Sequence, residues 1–67
     1  MVLNMGYTVR FWDANGDAIT VSGARVRHTL TRDEAYAVIL ALGDEAMDKG
    51  AVTADIGATE ILELHRA

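Results

Sequence analysis

The sequence predicts an α+β fold in which one helix packs on one face of a three-stranded antiparallel sheet. Residues 7–12 alternate between apolar and polar side chains just before an Asn-Gly pair, which is typical of a strand that enters a hairpin. Thr31 and Glu34 then form the pattern of a helix start, ahead of a long apolar run. These features predict the element order ββαβ, with strands in the order 2-1-3 and residues 1–67 forming one small domain.

The first two strands follow from the residues on either side of the turn. The short polar residues of 13–17 include Asn15-Gly16, which accepts the positive φ angles of a hairpin turn. We therefore expect a strand over 7–12 and a return strand over 18–29. Gly23 is expected to mark a bulge or bend within the return strand.

The helix is predicted over residues 32–49. Thr31 and Glu34 can satisfy each other's backbone N–H groups, and Gly50 can adopt the left-handed conformation that ends a helix. Gly43 lowers helix propensity and is expected to mark close packing or a local break. The stripe predicted to face the sheet consists of Ala35, Val38, Ile39, Leu42 and Ala46.

The segments at the two ends of the chain have weaker patterns. Residues 51–58 are interpreted as a connector, and residues 59–65 as the third strand, docked beside the first. The pattern of 59–65 is mixed, so a helix is an open alternative there. Residues 1–5 show no period and are expected to be disordered.

The composition limits the ways in which so short a chain can be stabilised. It has 67 residues, 51% of them hydrophobic, no cysteine and a formal net charge of −4. Without cysteine there is no disulfide and no thiolate zinc site, so we expect a second copy or a protein partner to add stability. No apolar run approaches the roughly 20 residues that span a bilayer, and the first residues lack a secretory pattern. We therefore expect a cytoplasmic protein with no membrane segment, no cofactor and no small-molecule substrate.

The best candidate for partner binding is a second apolar stripe on the helix. Eight uncharged residues from Ala35 to Leu42 place apolar side chains on every side of it, more than one sheet can cover. Tyr36, Leu40 and Met47 form this second stripe. One interpretation is ordinary exposure or cover by residues 51–58, and the other is a contact surface for a second copy or another protein.

An alternative function is suggested by a basic and aromatic patch on the opposite face of the sheet. Its members, if the hairpin register brings them together, are Arg10, Trp12, Arg25 and Arg27. Arginine and tryptophan are favoured where single-stranded bases stack, which would make the protein a nucleic-acid-associated regulator. Residues 1–32 carry a net +2 and residues 33–67 a net −6, so a broad positive field is lacking.

The residue types needed for catalysis or metal binding do not occur at useful spacings. Residues 13–17 superficially resemble a calcium loop, but position twelve of that loop is Ala24 rather than a glutamate. His28 and His65 lack a third metal ligand, and Ser22 has no acid or histidine at a catalytic spacing. The sequence therefore predicts a protein that is not an enzyme and holds no metal.

An Asn-Gly hairpin followed by Thr31-Arg32-Asp33-Glu34-Ala35 resembles very small bacteriophage and bacterial proteins built as ββαβ units. The resemblance covers residues 7–65 and rests on architecture, and the helix here is longer and more apolar. It implies a small protein that acts by binding a larger one. We therefore predict a non-enzymatic, phage-encoded protein that binds a host protein or dimerises through the helix. A subunit that pairs through an edge strand, Ile19 to Thr29, is a third possibility.

Overall fold

The α+β class is confirmed, with one helix packed on one face of a five-stranded antiparallel sheet. A computed structural model describes residues 6–57 and 60–66, so the disorder predicted for residues 1–5 lies outside the described residues. The elements in chain order are β1 (Tyr7–Asp13), β2 (Ala18–Ile19), β3 (Val26–Thr29), α1 (Arg32–Asp48), β4 (Ala51–Ile56) and β5 (Glu60–Glu63).

The order of the strands differs from the predicted 2-1-3. The sheet runs β2-β1-β4-β5, and β3 pairs with β1 along the same edge as β2. The strand beside β1 on its other side is thus β4, which comes from the segment interpreted as a connector. The segment predicted as the third strand forms β5 over 60–63, pairs with β4 and ends the sheet. Its strand assignment is confirmed, its position beside the first strand is wrong, and the helical alternative is wrong.

The first hairpin turn is confirmed, and so is the bend expected at Gly23, where φ is 84°. The single return strand predicted over 18–29 is wrong, because it is divided around this bend into β2 and β3. Gly16 adopts a φ of 86° at the turn. After β2 the chain leaves β1 and makes a tight turn, in which Val21 and Ala24 exchange two backbone hydrogen bonds of 2.8 and 3.1 Å. The strand is interrupted because the turn carries Val21 into the core, where its exposure is 2%.

The tight turn is held against the last part of the helix. Ser22 and Gly23 have φ angles of 50° and 84°. Ser22 donates from its backbone N–H and its hydroxyl to the Glu45 carboxylate, at 2.7 and 2.9 Å. These two hydrogen bonds, with the ammonium of Lys49 at 3.2 Å, lower the pKa of Glu45 below its ordinary value. The turn is therefore tied to α1 by charge-assisted contacts.

The predicted helix start is confirmed in detail. Thr31 Oγ1 accepts a hydrogen bond from the N–H of Glu34 at 3.1 Å, and Glu34 Oε1 accepts one from the N–H of Thr31 at 2.9 Å. At the other end Gly50 has a φ of 101°, the left-handed region in which glycine is unstrained. No helix within the described ranges is long and apolar enough to cross a membrane.

The core lies between α1 and the inner face of the sheet. Val9 faces Ile56 and Phe11 faces Ala54 across β1 and β4, so alternate residues of both strands point toward the helix. Ala35, Ile39 and Ala46 of the predicted stripe are buried, and its other two members pack against the cluster from partly buried positions. The buried apolar residues are Val9, Phe11, Val21, Ala35, Ile39, Ala46, Ala51, Ala54 and Ile56.

Candidate protein-binding site

An apolar groove of about 430 Å³ runs between one flank of α1 and the chain that leaves β5. Leu40 and Met47 line it from the helix, and Leu64 lines it from the opposite side. Leu40 is 85% exposed, whereas Met47 and Leu64 are half-buried. The groove thus joins two of the three residues that the helical spacing predicted as a contact surface.

The groove exists because of helix geometry and the position of β5. Residues 40, 43 and 47 are separated by three and four positions, so they stand one above another on the same flank of α1. On the other side, the N–H of Leu64 donates to the carbonyl of Val52 at 3.0 Å, which continues the pairing beyond the end of β5. This extension brings Leu64 level with the helix flank.

Gly43 leaves space in the middle of the groove. Its backbone is buried, yet a Cβ atom added there would meet no atom of the described residues within 4 Å beyond its immediate neighbours. The helix runs through this position without interruption. Gly43 therefore marks neither the close packing nor the local break expected from the sequence, and its missing side chain widens the groove.

The rim of the groove is mainly acidic. Asp44 and Glu63 line it together with His65, whose Nε2 lies 3.8 Å from Glu63 Oε1. Arg66 lies 3.9 Å from Asp44 and also pairs with Asp48. The groove therefore has an apolar centre with carboxylates at its rim. This arrangement is complementary to an apolar side chain that is flanked by basic residues.

Tyr36, the third residue of the predicted stripe, is engaged within the chain. Its hydroxyl donates to the carboxylate of Glu60 on β5 and accepts from Arg32 Nη2 at 2.9 Å. Arg32 also contacts Glu60 Oε1 at 2.6 Å, and its guanidinium lies 4.9 Å from the centre of the Tyr36 ring. Tyr36 is half-buried and does not line the groove, but this cluster joins the helix to the edge strand that leads to Leu64.

The same cluster shifts three pKa values in directions that agree with its contacts. The hydrogen bond to Glu60 raises the pKa of Tyr36, because an ionised phenol could no longer donate to the carboxylate. Hydrogen bonds from Tyr36 and then Arg32 lower the pKa of Glu60, and the pairing with Glu60 raises that of Arg32. All three groups reach solvent, so the cluster orients β5 more than it stabilises the fold.

The predicted basic and aromatic patch is divided by the register of β3. Arg10 faces Val26, and Arg27 faces Val9, whose side chain points toward the helix. Arg27 donates from Nη2 to the carbonyls of Val21 and Ser22, at 2.9 and 3.2 Å. Arg27 is therefore separated from Arg10, and its guanidinium binds the backbone of the tight turn.

Of the remaining members of that patch, Arg10 and Trp12 stay together and Arg25 lies apart from them. Arg10 and Trp12 lie two residues apart on β1, on the face of the sheet turned away from α1. Arg25 is exposed in the bend before β3. Asp55 stands directly opposite Arg10 on β4, so this part of the face carries both signs of charge.

A second apolar surface, on this outer face, was missed by the sequence analysis. Val52 and Ile61 are 45% and 75% exposed, and with Trp12 they border a depression of about 520 Å³. Asp55 also lines it, and Asp55 Oδ1 is buried without a hydrogen-bond partner within the described ranges. The alternation of Ala54 and Ile56 with Thr53 and Asp55 is typical of a strand. From this short pattern, β4 and hence this part of the outer face could have been predicted.

The histidines do not come together in the fold. His28 faces Thr8 on the outer face of the sheet, whereas His65 lies at the groove beyond β5. No group of three or more His, Cys, Asp or Glu side chains that could hold a metal ion occurs among residues 6–57 and 60–66.

The chain matches no protein-family model, no curated protein and no solved structure. The class of protein is therefore defined by the fold and by the surfaces described above. It is a small two-layer α+β protein, with one apolar groove beside its helix and a second apolar surface on the uncovered face of its sheet.

Proposed function

We propose that this chain is a non-enzymatic interaction module that binds another protein in the groove between α1 and Leu64. The occupant is an apolar side chain carried by a basic segment of the partner. Leu40 and Met47 contact that side chain, and the acidic residues of the rim contact the basic residues around it. Tyr36 acts indirectly, by holding β5 and the chain that follows it beside the helix.

The observation that supports this proposal is the exposure of Leu40 beside an unfilled space. A leucine that is 85% exposed is unremarkable alone, since isolated apolar residues are common on protein surfaces. Here it borders a groove with three further large apolar side chains, those of Ile39, Met47 and Leu64. The middle of that groove lacks a side chain at Gly43. An apolar centre with a polar rim is the usual anatomy of a protein interface.

The charge around the groove favours a basic partner. Residues 33–67, which include β4, β5 and all of α1 except its first residue, Arg32, carry a net charge of −6. Asp44 and Glu63 stand at the groove itself, and Asp48 lies one helical turn beyond Asp44. Such a field accelerates the encounter with a basic surface and disfavours an acidic one, and added salt weakens it.

The proposal is tested by placing one new carboxylate on either side of the helix. Leu40→Asp puts it in the groove, and Ala41→Asp puts it on the adjacent exposed position of α1, with the same change in net charge. Proteins captured from the native cells by the wild-type chain are identified and purified, and their affinities for both variants are measured by calorimetry. We expect Leu40→Asp to weaken binding at least tenfold (about 1.4 kcal/mol) and Ala41→Asp to leave it within about twofold.

Salt provides the second arm of the test. The affinity of the purified partner for the wild-type chain should fall as the ionic strength rises from 0.1 to 1 M, over which the Debye length falls from about 10 to about 3 Å. Equal binding by the two variants would exclude the groove as the contact surface. An acidic partner whose affinity is independent of salt would contradict the assigned chemistry.

The alternative of a nucleic-acid-associated regulator has less support. Arg27 is on the helix side of β3, and Asp55 faces Arg10 across the outer face. A mobility shift with DNA or RNA at low ionic strength, lost by about 200 mM salt, would favour this alternative over the groove.

A further inference from the structure

The outer face of the sheet carries a row of four side chains that is chemically complementary to its own reverse. Val26 on β3 faces Arg10 on β1, Arg10 faces Asp55 on β4, and Asp55 faces Ile61 on β5. Directly paired residues share a face, so all four side chains stand on the side away from α1. The row therefore runs apolar, cationic, anionic, apolar.

We propose that this outer face packs against the same face of a second copy of the chain, across a two-fold axis parallel to the strands between β1 and β4. Such an axis reverses the order of the strands and keeps each residue at its level along them. Arg10 of each copy then lies over Asp55 of the other, and Val26 lies over Ile61. A two-fold interface requires a surface complementary to itself, and this row meets that requirement.

The dimensions of paired sheets agree with this arrangement. Neighbouring strands are about 4.8 Å apart, so Arg10 and Asp55 are each displaced sideways by only roughly 2.4 Å from the axis within the plane of the sheet. Packed sheets lie about 10 Å apart with their strands within about 30° of parallel, a rotation that displaces residues near the axis least. The two charges are thus the part of the row held most closely in register.

The neighbouring row supports the same pairing. Ala18 faces Trp12, Trp12 faces Thr53, and Thr53 faces Glu63. Reversal of this row puts Trp12 over Thr53 and Ala18 over Glu63, with no like charges opposed. Trp12 would then be covered in its depression, together with the exposed side chains of Val52 and Ile61.

The second copy would also provide partners that the single chain lacks. Arg10 and Asp55 face each other, but no ion pair joins them in the described part of the chain. Asp55 Oδ1 is buried without a hydrogen-bond partner there, a state that carries a desolvation cost. In the dimer, two arginines and two aspartates alternate around the axis, so each carboxylate has a guanidinium from both chains nearby.

This interface is largely separate from the groove proposed above, because α1 and the groove beside it lie on the other side of the sheet. Of the residues named for the two surfaces, Glu63 is shared: it borders the groove and also ends the neighbouring row. The dimer would present two grooves facing outward. Loss of the dimer therefore leaves partner binding by one chain possible, and loss of partner binding by Leu40→Asp leaves the dimer intact.

The test compares two charge reversals with their combination. Sedimentation equilibrium should give the wild-type chain a mass of twice 7.2 kDa. Arg10→Glu or Asp55→Arg should weaken the dimer at least about 30-fold by opposing like charges. The double variant Arg10→Glu/Asp55→Arg keeps the row self-complementary and should restore the dimer. Fluorescence of Trp12, the one tryptophan in the sequence, should shift to shorter wavelength as each dimer forms.

The charge reversals also act within one chain, so a third variant separates folding from assembly. Ile61→Lys changes a side chain that is 75% exposed, and it should give a chain that is folded by circular dichroism and monomeric by sedimentation equilibrium. A wild-type chain that remains monomeric at about 1 mM would overturn the proposal. A dimer that all of these substitutions leave unchanged would overturn it as well, because the contact would then lie on another surface.

Discussion

Replacement of Gly43 by alanine should stabilise the protein. Glycine in a helix interior is about 0.8–1.0 kcal/mol less favourable than alanine, mainly because it loses more backbone freedom on folding. A buried methyl adds at most about 0.8 kcal/mol, and the open groove reduces this gain. No opposing clash is expected, since a Cβ at Gly43 meets no described atom within 4 Å apart from its chain neighbours and the adjacent backbone of the helix. The free energy of unfolding should therefore rise by about 1 kcal/mol.

Thermal and urea unfolding followed by circular dichroism would measure this change. For a domain of this size, about 1 kcal/mol corresponds to a rise in Tm of roughly 4–8 °C. Gly50→Ala is the matched control, because Gly50 has a φ of 101° and alanine there is strained by about 1–2 kcal/mol. A Gly43→Ala variant that unfolds at the same or a lower temperature would refute the reasoning, since it would mean that the space beside Gly43 is filled.

Three further predictions concern the rest of the fold. Thr31→Ala removes one half of the capping box and should lower the free energy of unfolding by about 1 kcal/mol in urea titrations, whereas Thr31→Ser should restore most of it. Ile56→Ala leaves a cavity at a residue that is 1% exposed and should cost about 2–5 kcal/mol, while Val52→Ala on the exposed side of β4 should cost little. The Ser22 and Lys49 contacts lower the folded pKa of Glu45 below the ordinary value for a glutamate. Its contribution to stability is therefore present above that ordinary value and is lost as the pH falls through the folded pKa. Glu45→Gln should therefore flatten this part of the curve of stability against pH, and an unchanged curve would show that the Ser22 contacts do not form.

The elements with strong local signals could be predicted from the sequence. The alternation in β1, the Asn-Gly turn and the capping box at Thr31 depend on residues within a few positions of one another, and each is found where expected. The prediction of one return strand over 18–29 was wrong because the hydrophobic pattern of these residues does not show that the Ser22-Gly23 turn carries Val21 into the core. The turn is held in this position by its contact with Glu45, which is 23 residues further along the chain, so local sequence patterns do not reveal it.

Strand β4 was missed because its own residues give a weak signal. Ala51 and Ala54 are small, and their burial depends on close packing beneath the helix rather than on strong hydrophobicity. A shift in the pairing with β1 between Trp12 and Asp13 also interrupts the period-two pattern near Val52. Because β4 was not predicted, residues 59–65 were the only predicted strand left to place beside β1.

The candidate site was predictable in part. Helical spacing is local, so it places Leu40 and Met47 on one flank of α1. Leu64 could not be assigned to the opposite wall, because its position depends on β5 lying at the edge of the sheet. The division of the basic patch has a similar cause: the register of β3 sets Arg27 opposite Val9, and the sequence alone did not fix that register.

Site-specific photo-crosslinking in the native cells tests the assignment of the groove most directly. One photoreactive residue is placed at position 40 in the groove, at position 41 on the neighbouring exposed side of α1, or at position 61 on the outer face of the sheet. We predict that position 40 crosslinks to a basic partner protein, that position 41 does not, and that position 61 crosslinks to a second copy of the chain. Equal crosslinking of the same partner from positions 40 and 41, or none from position 40, would contradict the groove as the binding site.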